Sequence, residues 1–75
     1  MAKLPDITSK ELISALIKIG FQNVKQKGSH VRMKHEDGRV VTIPVHSGKT
    51  LGKGLLLKIL RDVDLTKEQL IDLLA

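Results

Sequence analysis

Val31-Arg32-Met33-Lys34-His35-Glu36-Asp37-Gly38-Arg39-Val40-Val41-Thr42-Ile43 is the stretch that decides the fold. Its apolar side chains at 31, 33, 41 and 43, continued at Val45, alternate with polar or exposed positions, which is strand periodicity. Glu36-Asp37-Gly38 supplies the turn between the two runs. Two registers compete. A two-residue Asp37-Gly38 turn pairs Lys34 with Val41 and Arg32 with Ile43, mixing charge into the core face. A three-residue loop with Gly38 in the left-handed region pairs Met33 with Val41 and Val31 with Ile43. A slip of one residue exchanges the two faces of a strand, so the apolar pattern selects the three-residue loop. The opposite face then carries His30, Arg32 and Lys34 beside Val40 and Thr42.

Upstream of the hairpin, Thr8-Ser9-Lys10-Glu11 is a capping box, with Ile7 and Leu12 at the staple positions around it. Leu12, Ile13, Leu16, Ile17 and Ile19 give the following helix an apolar face. Gly20 ends that helix, and Phe21 is expected to fold back onto Leu16. Phe21 to Gln26 is a weaker strand candidate, and Lys27-Gly28-Ser29 reads as a turn into the hairpin. Downstream, Leu56, Ile59, Leu60 and Val63 follow helical spacing, with Leu55 widening the stripe. Thr66-Lys67-Glu68-Gln69 is a second capping box, stapled by Leu65 and Leu70, and it opens a short helix with Leu70, Ile71, Leu73 and Leu74. The order helix, three strands, helix, short helix defines an α+β fold in two layers, with helices over one face of an antiparallel sheet.

Length and composition bound what such a fold can be. Seventy-five residues support one domain, 1–75. A chain this short buries only about 60% of the surface that it exposes when unfolded. There is no cysteine, which excludes disulfides and thiolate zinc sites, and Phe21 is the only aromatic residue, so the core is built from Leu, Ile and Val. No apolar run approaches the ~20 residues needed to span a bilayer, and the first residues lack a signal-peptide pattern. A cytoplasmic location and no membrane association are expected. The net charge of +5 and pI near 9.8 favour an anionic partner, either nucleic acid or an acidic protein.

Several motifs bear on chemistry. Gly48-Lys49-Thr50 has the ending of a phosphate-binding P-loop, but the pattern requires glycine where Ile43 stands, inside a strand. Gly52 and Gly54 do not extend to a dinucleotide fingerprint, because Leu57 occupies the third glycine position. His30, His35 and His46 have no metal-ligand spacing, so neither a metal nor another cofactor is expected; His35 and Glu36 read as solvated residues flanking a turn.

Lys25-Gln26-Lys27-Gly28-Ser29-His30 gathers two cations, a permissive glycine, a hydroxyl and an imidazole. Gly28 lets the backbone approach a phosphate, and exposed amides together with Ser29 can donate to its oxygens. Lys25 and Lys27 supply charge against a phosphodiester backbone, to which Arg32 and Lys34 of the hairpin's polar face add. An imidazole exchanges protons near neutrality, which fits His30 for acid–base work. The plainer alternative is a polar turn leading into a strand, with an ordinary exposed histidine. His46 has the same two readings: a loop histidine, or an auxiliary proton donor or phosphate contact on the strand parity of His30.

On these residues the chain resembles the HicA family of type II toxin–antitoxin systems. The likeness runs through Gly20-Phe21, Lys25 to His30, Asp37-Gly38, Ile43-Pro44 with His46, Gly52 to Leu60, and Leu65 to Gln69, and Gly28-Ser29-His30 is its most telling part. The resemblance implies a fold similar to double-stranded-RNA-binding domains, with an α-β-β-β-α core. It also implies an mRNA-cleaving toxin that arrests growth, a catalytic histidine at His30, and a HicB-like antitoxin partner; the toxin alone is expected to be monomeric. Family members frequently carry an aromatic residue shortly after the catalytic histidine. Here Val31, Arg32 and Met33 follow it, so stacking of bases on aromatic side chains is not part of the expected mechanism. A non-catalytic RNA-binding module of double-stranded-RNA-binding type is the alternative that the basic face also permits.

Overall fold

A computed structural model describes residues 3–46 and 48–74. The elements run α1 (Ser9–Lys18), β1 (Gln22–Lys27), β2 (His30–Lys34), β3 (Val40–Pro44), α2 (Lys53–Asp62) and α3 (Lys67–Leu74). The strands form one antiparallel sheet in the order β1-β2-β3. Helices α1 and α2 pack against β3, and α3 packs against α1. This is the expected two-layer α+β arrangement.

The hairpin adopts the register that its apolar pattern selects: Val31 opposes Ile43, Arg32 opposes Thr42, and Met33 opposes Val41. The Gly38 amide donates to the His35 carbonyl at 3.0 Å, and the His35 amide donates to the Arg39 carbonyl at 2.9 Å. Gly38 lies at φ +99°. These are the marks of a three-residue loop built on a tight turn plus one left-handed residue. Val31, Met33, Val41 and Ile43 are buried beneath the helices, whereas His30, Arg32, Lys34 and Thr42 are exposed on the other side.

The starts of α1 and α3 are capped as their sequences dictate. The Thr8 hydroxyl accepts from the Glu11 amide, and the Glu11 carboxylate accepts from the Thr8 amide. Thr66 and Gln69 make the same reciprocal pair at α3. Such a cap is worth about 1 kcal/mol. At the end of α1, the Phe21 amide reaches the Leu16 carbonyl and the Gly20 amide reaches that of Ile17. Two such bonds closed by a left-handed residue make a Schellman motif. Its left-handed residue is Gly20, at φ +103°. The end of α2 repeats this arrangement, with Leu65 to Leu60 and Asp64 to Arg61. There the left-handed residue is Asp64, at φ +58°.

The buried cluster draws on every element except β1: Ile7, Leu12, Ala15, Leu16, Phe21, Val31, Met33, Val41, Ile43, Leu51, Leu56, Ile59, Leu60, Val63 and Leu70. Two expectations are corrected. Ile17 is 52% exposed and Leu55 37% exposed. The buried stripe of α1 runs through Leu12, Ala15 and Leu16, and a residue one step past Leu16 is turned ~100° away from it. Leu55 stands in the same relation to Leu56.

His35 is not a solvated turn residue. Its Nε2 lies 2.9 Å from the carbonyl of Ile19, the C-cap of α1, and its Nδ1 accepts from the Asp37 amide at 3.1 Å. The ring meets Phe21 edge-on, with centroids 5.1 Å apart. It also covers Gly20, where a Cβ would come within 2.9 Å of Nε2. Arg39 acts alongside it. Its guanidinium sits 5.1 Å from the centre of the Phe21 ring, pairs with Asp37, and donates to the carbonyl of Val63, the C-cap of α2. The Arg39 amide, and after it the Arg39 side chain and charge, hold the Asp37 carboxyl below its ordinary value of 3.8.

A 75-residue domain has on the order of 4–11 kcal/mol of stability. His35→Ala strands the Ile19 carbonyl and empties the space against Phe21, so it should cost about 1–3 kcal/mol by urea unfolding. Asp64→Gly removes a left-handed non-glycine residue and should stabilise the chain by several tenths of a kcal/mol to about 1 kcal/mol. Because the folded value of Asp37 is depressed, its contribution is present above its unfolded value and is lost as pH falls through the folded one. Asp37→Asn should therefore flatten the stability profile below about pH 4.

Candidate nucleic-acid interface

The exposed face of the sheet owes its chemistry to an irregularity in β1. Gln22 opposes Lys34 and Asn23 opposes Met33, but the next pair is Lys25 with Arg32, followed by Gln26 with Val31 and Lys27 with His30. Val24 is an extra residue at a β-bulge and is 53% exposed. Had the ladder run on regularly from Gln22, Val24 and Gln26 would oppose Arg32 and His30, and the lysines would point to the other face. The bulge restarts the alternation, so Lys25 and Lys27 stand beside Arg32 and His30.

A shallow groove on this face is lined by Lys25, Lys27, His30, Arg32 and Thr42. Four of these were expected from the sequence. Thr42 joins them through its position opposite Arg32, on the face that the hairpin register gives it. No acidic residue occurs in any of the three strands. Among the described residues the side-chain ion pairs are Arg39–Asp37 and Lys58–Asp62, and neither involves a groove cation. Among the described residues, nothing therefore pairs with the positive charge of the groove, which favours an anion there.

Gly28 and Ser29 form the two-residue turn between β1 and β2, next to the paired Lys27 and His30. Gly28 has φ +58°, and Ser29 is not in the left-handed region. This is the hairpin turn that takes glycine at its first central position. The Ser29 carbonyl accepts from the Val45 amide, tying the turn to the end of β3. The remaining sequence candidates stand apart from the groove. Lys34 lines a separate recess with Gln22, Val24, His35 and Glu36. His46 lies beyond the end of β3, in a recess with Thr8, Ser9 and Lys10.

The molecule is thus a two-layer α+β domain whose uncovered sheet face is basic and holds one histidine, His30. The HicA toxin model, a toxin of bacterial toxin–antitoxin systems, matches residues 9–65. The chain belongs to that family and is the toxin type of component in a toxin–antitoxin pair. The match takes in α1 to α2 with the whole sheet and ends before α3. No curated protein matches the chain.

Glycine at 28 is explained by backbone conformation, since nothing lies within 4 Å of the place where a Cβ would be. Gly28→Ala should thus lower stability by about 1–2 kcal/mol. D-alanine at the same position, introduced by chemical synthesis, should recover most of the loss, with both changes read from thermal melting.

Proposed function

We propose that this chain is an endoribonuclease toxin that cleaves mRNA without a metal, with His30 as general acid or base. The observation that carries the reading is the groove itself: His30 stands among Lys25, Lys27 and Arg32 with no carboxylate beside it, in a member of the HicA family. Lys25, Lys27 and Arg32 hold phosphate and offset charge that develops during cleavage. Gly28 and Ser29 border that contact, and Lys34 extends the positive face toward its far end. His30 takes a proton from the attacking oxygen or gives one to the leaving oxygen, an assistance worth roughly 10²–10⁴-fold. With a single imidazole in the groove, water serves as the second proton carrier and turnover is slow, which suffices for a toxin. The toxin works in the cytoplasm and is held inactive by a HicB-like antitoxin. A non-catalytic RNA-binding module is the second reading, because the same acid-free face binds phosphate without any proton transfer.

The test is a paired assay of melting, RNA affinity at two salt concentrations, and cleavage rate. His30→Ala should abolish cleavage, change stability by no more than about 0.5 kcal/mol, and keep most of the affinity, which comes from the cations. Lys27→Ala should weaken binding and reduce its salt dependence. A well-folded His30→Ala chain that cuts RNA at the wild-type rate removes His30 from the chemistry, whereas wild-type protein that binds RNA and never cuts it establishes the binding module. The antitoxin should cover His30 and should associate more slowly as salt rises. Amide exchange that slows at residues 25–32 on complex formation checks the first, and stopped-flow association checks the second.

A further inference from the structure

Helix α2 carries one spacing twice. Leu56, Ile59, Leu60 and the C-cap Val63 stand at i, i+3, i+4 and i+7 and are buried over the sheet. Gly54, Leu57, Lys58 and Arg61 repeat that spacing two residues earlier, which turns them ~200° from the first set. All four are exposed on the outside of the molecule. Four residues so spaced are the set that receives a side chain from a second helix.

The fold explains the inner stripe and leaves the outer one unexplained. Leu57 is 40% exposed. Gly54 lies within the helix, where glycine is less favourable than alanine. Its φ is not positive, and nothing lies within 4 Å of the place where its Cβ would be. Neither backbone conformation nor a neighbour in the chain calls for glycine there. The reason that remains is a close approach from outside the chain. With Leu57 one turn further on, the bare position is a notch with an apolar wall.

Charge selects what fills the notch. Helix α2 holds three cations, Lys53, Lys58 and Arg61, and one acid, Asp62. Asp62 pairs with Lys58 at 3.0 Å. The other side-chain ion pair among the described residues is Arg39–Asp37. Lys53 and Arg61, one turn before and one turn after Leu57, are thus open to carboxylates from elsewhere. A second copy of this chain would set the same cations against each other, which opposes self-pairing through this face. A phosphate backbone would use the cations but neither the leucine nor the notch. A protein helix with acidic residues flanking an apolar one uses all of them.

We infer that the outer face of α2 docks an acidic amphipathic helix of the antitoxin. An apolar side chain of that helix seats over Gly54 against Leu57, and its carboxylates meet Lys53 and Arg61. The inference rests on the antitoxin reading above. Helix α2 packs against β3 on the side where Val41 and Ile43 are buried, opposite the His30 groove. The contact is therefore separate from the one that covers His30, and it holds the partner without occupying the RNA face.

The experiment uses full-length His30→Ala chains, so that RNA stays intact, and adds Gly54→Gln, Leu57→Ala, Arg61→Glu or Lys27→Ala. Binding is measured to the HicB-like antitoxin and to a short single-stranded oligoribonucleotide. Gly54 and Arg61 are exposed, so their variants should melt at or near the parent temperature, and Leu57→Ala serves if Gly54→Gln folds poorly. Each α2 variant should raise the antitoxin dissociation constant by roughly five- to tenfold. Arg61→Glu should also weaken the salt dependence of the association rate. RNA affinity should stay at the parent level in all three and fall only in Lys27→Ala. If well-folded α2 variants bind the antitoxin as tightly as the parent, the inference is overturned while the covering of His30 stands. If Gly54→Gln and Leu57→Ala lose RNA affinity, the face belongs to RNA and the inference is again overturned. If the wild-type chain binds no antitoxin, the antitoxin reading itself fails and takes the inference with it.

Discussion

Everything on the helix side of the sheet hangs from the turn between β2 and β3. That one turn reaches the C-termini of both major helices, through His35 to the Ile19 carbonyl and through Arg39 to the Val63 carbonyl. Terminal carbonyls of a helix lack intrahelical donors and carry the negative end of its dipole. Supplying their partners from the sheet answers both needs and fixes where each helix ends relative to the strands. Phe21 lies between the two contacts, edge-on to His35 and under the Arg39 guanidinium. The only aromatic residue of the chain thus sits where sheet and helices are pinned together.

Anchoring one face has a consequence for the other. With Val31, Met33, Val41 and Ile43 committed to the helices, the intervening residues of β2 and β3 must face solvent. Strand β1 lies outside the helical cover, and all six of its residues are exposed. Its alternation is not fixed by burial, which is the condition under which a bulge is tolerated. The bulge at Val24 then aligns Lys25 and Lys27 with Arg32 and His30. A basic groove arises because the strand is held by hydrogen bonds on one side and by nothing on its faces. Lysines and a bulge on an outer strand also discourage edge-to-edge pairing with other chains, so the same residues serve solubility as well as the proposed anion contact.

The division of labour across the molecule is electrostatic as well as structural. Acidic side chains sit at helix starts, in the β2–β3 turn and along α2 and α3, while the strands hold none. Positive charge is left uncompensated in the groove, where a phosphate backbone is proposed to lie.

The sequence by itself determined the helices, their caps, the hairpin register and the Gly20 stop, because each depends on neighbours within a few residues or on an apolar period of fixed length. Thr8 with Glu11, Thr66 with Gln69, and Met33 opposite Val41 could all be read from spacing alone. The Lys25 to His30 run was legible as a cluster of cations and an imidazole for the same reason. Only the tertiary structure decided what lies far apart in the chain: that His35 is a pin between α1 and the sheet, that Thr42 joins the groove, and that His46 belongs with Ser9 and Lys10. It also decided the face on which the lysines stand, since the Val24 bulge leaves no mark in a strand whose faces are both wet. A side chain's role here follows from what packs against it, and that is set by contacts among elements that local pattern does not encode.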